Sequence, residues 1–143
     1  MRVAILLSLL TLFGCATDTI GGNLEMRTLT TGQYAAAQPD GPTAVAVRSE
    51  EEYARIWQEQ VGSGQPPAVD FAKESVVILL AGMKRSGGYT IEPVGVKLEG
   101  RTLVVDATVT SPPSGGIVTM ALTSPFAVIA VNAKNFDEVR WTP

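Results

Sequence analysis

Few side chains in this sequence could do covalent or acid–base chemistry: among 143 residues there is one cysteine, Cys15, and no histidine. Without imidazole, a Ser-His-Asp or Cys-His site cannot be built, and the usual imidazole and thiolate ligands of zinc or iron are missing. Paired carboxylates can act alone in glycoside hydrolysis, but Glu50, Glu51 and Glu52 follow Ser49 at a predicted helix start, where acidic side chains complement the helix dipole. Ser86 lies near Lys84, yet a lysine base needs burial to lower its pKa, and Lys84 falls in a glycine-rich loop. The sequence therefore reads as non-catalytic, with no metal site and no dissociable cofactor.

Cys15 closes an apolar leader. Arg2 is followed by a hydrophobic run from Val3 to Leu12, too short for a membrane-spanning anchor, and then by Leu12-Phe13-Gly14-Cys15. This pattern resembles bacterial lipoprotein signals, with Leu at minus three, Gly at minus one and a cysteine whose thiol takes up diacylglycerol before cleavage. The resemblance implies a signal peptide over 1–14, a lipidated flexible tether over 15–23 (through ATDTIGGN) and one globular domain over 24–143. Acyl chains on Cys15 would make the membrane one partner, and several chains hold firmly where one binds only marginally. Ala16 and Thr17 follow the cysteine with no Asp directly after it, which favours the outer membrane of the bacterial cell envelope. An acylated thiol forms no disulfide, so the domain has to be stable through its core. Once Arg2 leaves with the leader, ten Lys and Arg face fourteen Asp and Glu with no basic run, which argues against nucleic acid as a partner.

The elements that must position any site follow from periodicity. Leu24 to Leu29 and Thr43 to Arg48 read as short strands. Ser49 and Glu52 form a capping box, after which Tyr53, Ile56, Trp57 and Val61 recur at helical spacing up to Gly62. Ser75 to Met83 is a continuous apolar run and Phe126 to Ala133 is apolar on both phases, so both are expected to be central strands. A two-residue turn at Glu99-Gly100 would set Leu98 against Arg101, Val96 against Leu103 and Val94 against Val105. That register makes Val94, Val96, Leu103 and Val105 one buried face. The apolar phase changes between Ile91 and Val94, implying a bulge at Glu92-Pro93. Ile117 to Leu122, with Val118, Met120 and Leu122 in phase, reads as a further strand, and Val139 to Trp141 closes the domain. The expected fold is α+β, a mainly antiparallel sheet or sandwich of about seven strands with one helix near the N-terminus.

Two loops stand out: Lys84 to Tyr89 (KRSGGY) and Pro112 to Gly116 (PPSGG). Together with Asp70-Phe71, the strands between and Leu122-Thr123-Ser124-Pro125-Phe126, they give residues 69–143 an order that resembles the PrcB C-terminal domain family. Its founding member is a bacterial lipoprotein that accompanies a surface protease complex. The resemblance implies a non-catalytic, membrane-tethered module that binds a protein, supporting the assembly or stability of a protease or envelope complex. The residues expected to contact the partner are Arg85, Ser86, Gly87, Gly88, Tyr89, Pro112, Pro113, Gly115, Gly116, Pro125 and Phe126. A looser likeness connects Ser86-Gly87-Gly88-Tyr89 and Ser114-Gly115-Gly116 to the wedge loops of chagasin-type cysteine protease inhibitors. The chain departs from that pattern by lacking the Asn-Pro before the first loop and the Arg-Pro-Trp of the third, so inhibition is the alternative reading. The first test concerns the anchor: Cys15→Ser should release the protein from the membrane fraction, and full retention would show that Cys15 does not hold it there.

Overall fold

Continuous apolar strands need cover on both faces, and the two in this chain lie side by side at the centre of a sheet. The structure, a computed structural model, describes residues 22–143. The predicted signal peptide and most of the tether, Cys15 included, lie outside the described residues. In chain order the elements are β1 (Met26–Gly32), β2 (Thr43–Val47), α1 (Glu50–Gln60), β3 (Ser75–Leu80), β4 (Thr90–Glu99), β5 (Thr102–Thr110), β6 (Phe126–Val131) and β7 (Glu138–Trp141). One sheet has the order β1-β6-β3-β2, all antiparallel, and the other the order β4-β5-β7, in which β7 runs parallel to β5. This is the expected α+β architecture.

All six residues of β3 are buried, and alternation sorts them between two cores. Val77 and Leu79 join Ile129, Leu103, Val105 and Trp141 between the sheets. Val76, Ile78 and Leu80 join Val128, Tyr53, Ile56 and Trp57 beneath α1. The molecule is thus three layers, helix over sheet over sheet. Ser49 caps α1 by accepting from the Glu52 N–H at 3.3 Å, as the capping box requires. Under the helix, the ring of Tyr53 meets Trp57 and Phe71 edge-on, with centroids at 6.0 and 5.3 Å, and burial pushes its phenol up to about 12.

The β4–β5 hairpin departs from the expected register. Gly100 and Arg101 form the turn, so Glu99 faces Thr102, Leu98 faces Leu103 and Val96 faces Val105. Gly100 has φ +62° while Arg101 does not enter the left-handed region, matching the demand of a type II′ turn for glycine at its first central position. The bulge falls one residue beyond Pro93. Pro93 pairs with Ala107 and Gly95 with Asp106, leaving Val94 as the extra residue, 62% exposed. It flips the pleat, which is why Ile91 and Val96, of opposite parity, both face the core.

A second correction concerns Ile117 to Leu122. No strand forms there, and Ile117 (105%), Met120 (86%) and Leu122 (61%) stand exposed. The alternation is present, but no neighbouring strand lies alongside to complete a ladder. The hairpin generates a test with opposite outcomes for adjacent valines: Val96→Asp should destabilise by about 3 kcal/mol or more by burying an unpaired charge, and Val94→Asp by less than about 0.5 kcal/mol. Equal shifts in denaturant midpoint would place the bulge elsewhere.

Candidate functional site

Charge is distributed unevenly along the strands. At the end of the sheets where Met26 pairs with Val131 lie the ion pairs Arg27–Glu74, Arg101–Asp137 and Arg140–Glu99, which tie separate segments together. Arg101 holds the Asp137 carboxyl below its ordinary value, and Arg27 does the same for Glu74. At the other end, where β1 and β3 finish and β6 begins, no residue from Ser75 to Ile91 or from Ala107 to Ala133 is acidic. Both predicted loops lie at this second pole.

A short strap, Thr123-Ser124, assembles them. Thr123 and Lys84 exchange backbone hydrogen bonds at 2.9 and 2.8 Å, and Thr123 Oγ1 donates to the Ser86 carbonyl at 2.7 Å. On its other side, Ser124 N–H donates to Gln33 O at 2.8 Å, its carbonyl accepts from Ala35 N–H at 3.0 Å, and its hydroxyl donates to Ala37 O at 2.9 Å. Both side chains are buried at 2% exposure, so their hydroxyls need these partners. Gln33 Nε2 also donates to the Tyr89 carbonyl, closing the first loop.

The two glycine-rich loops then dock on each other. Gly87 N–H donates to Thr119 O at 2.8 Å. Gly88 has φ +86°, and a Cβ there would lie 2.8 Å from Pro112 Cβ and 3.2 Å from Val118 Cγ1, so this position needs glycine for both its backbone and its space. Pro113 to Gly116 is a tight turn with a 3.0 Å hydrogen bond from Gly116 N–H to Pro113 O, and Gly115, at φ +79°, meets the type II requirement at its third position. Lys84 holds its ammonium 5.5 Å from the Tyr89 ring centroid, and Arg85 is exposed. Neither cation is in a salt bridge among the described residues. Nor does a hydrogen bond join the Ser86 and Lys84 side chains there.

Of the expected contact residues, Arg85, Gly88, Pro113, Gly115 and Gly116 are exposed, while Ser86, Tyr89 and Pro112 are half-buried and Gly87 is buried. Pro125 and Phe126 do not belong to this surface. Pro125 is buried, its carbonyl accepting from Ala81 N–H at 2.9 Å, and Phe126 packs over Gly32 and against the core beneath α1. Sequence reasoning missed the apolar side chains beside the loops: Ile117, Met120 and Leu122, with Tyr34 and Met83 on the segments that flank the strap. The charge-free run from Ala107 to Ala133 carried that signal.

The arrangement is a β scaffold presenting braced loops with a mixed cationic and apolar surface. Residues 75–132 match the family model described as PrcB C-terminal, the family that the loop order resembles. The match runs from β3 to the first residue beyond β6 and contains both loops and the strap. No curated protein matches the chain, and no solved structure does. The glycine geometry gives a direct test of loop docking: Gly88→Ala should cost about 1–3 kcal/mol, whereas Gly87→Ala, whose Cβ would meet Thr119 at an ordinary 3.5 Å, should cost less than 1 kcal/mol. Matching denaturation midpoints for the two variants would mean that the loops are not locked together.

Proposed function

We propose that this chain is a non-catalytic accessory lipoprotein of the bacterial cell envelope, anchored through acyl chains on Cys15, which binds and steadies a protein complex through its paired loops. The observation that carries this reading is the construction at the loop pole: two loops inside the family-matched segment, braced by Thr123 and Ser124, with Lys84 and Arg85 in no salt bridge among the described residues. Pre-ordered loops lose little conformational entropy on docking, so a surface of this kind can bind without first folding. The family resemblance supports a protease complex as the kind of partner, and the lipoprotein-like leader, with no Asp directly after Cys15, supports the outer membrane as the place. Pro125 is buried and Phe126 packs against the core beneath α1, so neither adds to the two loops, and the chain lacks the Arg-Pro-Trp of the third inhibitor loop, which favours this reading over chagasin-type inhibition.

Site-specific photocrosslinking in intact cells tests it. A benzophenone side chain at Arg85 or Pro113 should give a discrete adduct with an envelope protein, and the same group at Glu59, on the exposed face of α1, should give none. Adducts of equal yield from all three positions, or none from the loops, would overturn the proposal. A protease subunit in the adduct would identify the complex served.

A further inference from the structure

The segment Ile117 to Leu122 has the sequence of a strand and no strand beside it. Val118, Met120 and Leu122 alternate with Thr119 and Ala121, yet among the described residues its main chain makes one main-chain hydrogen bond, from Gly87 N–H to Thr119 O. The other backbone groups have no main-chain partner, and Ile117, Met120 and Leu122 expose most of their surface. An unpaired, apolar, β-patterned segment offers main-chain hydrogen bonds and side-chain area together, as strand addition requires.

Charge restricts the occupant. The segment and the strands that flank it carry no acidic residue between Ala107 and Ala133, and the neighbouring loop adds the cations Lys84 and Arg85, neither of which is in a salt bridge among the described residues. The acidic residues that bound the acid-free runs in sequence are Glu74 and Glu92 for Ser75 to Ile91 and Asp106 and Asp137 for Ala107 to Ala133, all outside both loops, and Asp40 enters from the segment whose Pro39 carbonyl accepts from Met83 N–H at 3.1 Å. An apolar occupant carrying acidic groups fits this surface best.

The position of the chain's start separates a protein from a bilayer. Asn23 bridges to Lys97 and Leu24 N–H donates to Val96 O at 2.8 Å, so the chain enters the fold seven residues along β4 from Thr90, on the order of 20 Å from the loops. A lipid anchor at Cys15, as proposed, would join the domain at the pole opposite Ile117 to Leu122. We infer that residues 117–122 are a docking edge for an extended peptide segment of the partner protein, with alternating apolar and acidic side chains, which adds as a strand and sets its carboxylates against Lys84 and Arg85. This deepens the accessory reading and rests on it.

The test uses the full chain carrying Cys15→Ser and two fluorescent nine-residue peptides, one alternating Val with Glu and one alternating Val with Lys. The acidic peptide should bind at least tenfold tighter than the basic one and slow amide hydrogen exchange within residues 117–122. Met120→Asp with Leu122→Asp should weaken it at least tenfold without lowering the melting temperature, and Arg85→Glu should reverse the charge preference. Equal affinity for both peptides, no binding of either, or indifference to these variants would overturn the inference. So would phosphatidylglycerol vesicles bound through the same residues, which would make the edge a membrane contact, or a dimer dissociated by the Met120 and Leu122 changes, which would make its occupant a second copy. Crosslinks at Arg85 without peptide binding would overturn this inference and leave the accessory reading standing; peptide binding without any crosslinked envelope protein would do the reverse.

Discussion

The rest of the molecule depends on the pairing of β3 with β6. Both strands are apolar on both faces, so neither can sit at an edge or against water, and their antiparallel register from Ser75–Val131 to Leu80–Phe126 fixes which side chains face which layer. Val77, Leu79 and Ile129 call for the second sheet; Val76, Ile78 and Val128 call for α1. A slip of one residue would exchange the two cores, which differ in composition, since the aromatic rings of Tyr53 and Trp57 serve only one of them.

The same pair positions the candidate site. β3 runs out at Leu80 where β6 begins at Phe126, so the chain leaving one and the chain entering the other meet beyond the sheet. There Lys84 and Thr123 continue the antiparallel pairing as an isolated bridge, and Ser124 brings in the end of β1 through Gln33. The loops are therefore an extension of the most deeply buried part of the fold. Their rigidity derives from that position as much as from their glycines and prolines.

The sequence disclosed the features that depend on local pattern. The capping box at Ser49, the double-sided burial of the two apolar runs and the phase change ahead of Val96 all rest on side chains near one another in the chain. The exact hairpin register did not follow, because Glu99-Gly100 and Gly100-Arg101 both place a glycine in the turn, and the choice between them rests on which central position takes the positive φ. Nor did the fate of Ile117 to Leu122, since alternation identifies a strand former without supplying a strand to pair with. Pro125 and Phe126 lie off the loop surface although their motif adjoins the loops in sequence, because a single residue step from Ser124 carries the chain toward the core.

The distribution of charge distinguishes the two ends of this small domain. At the pole where the chain enters, Arg27, Arg101 and Arg140 have their carboxylates within reach, and Lys134 Nζ donates to the Phe71 and Arg48 carbonyls at 2.6 and 3.0 Å. Surface ion pairs of this kind add little stability each, but they offset the charge of three arginines at that end. At the loop pole the hydrogen-bonded polar groups described are those of the backbone, the two buried hydroxyls and the Gln33 amide N–H, while Arg85 and the apolar side chains of Met83, Ile117, Met120 and Leu122 are exposed. The internal hydrogen bonds of Thr123 and Ser124 hold the shape of that pole from within the chain.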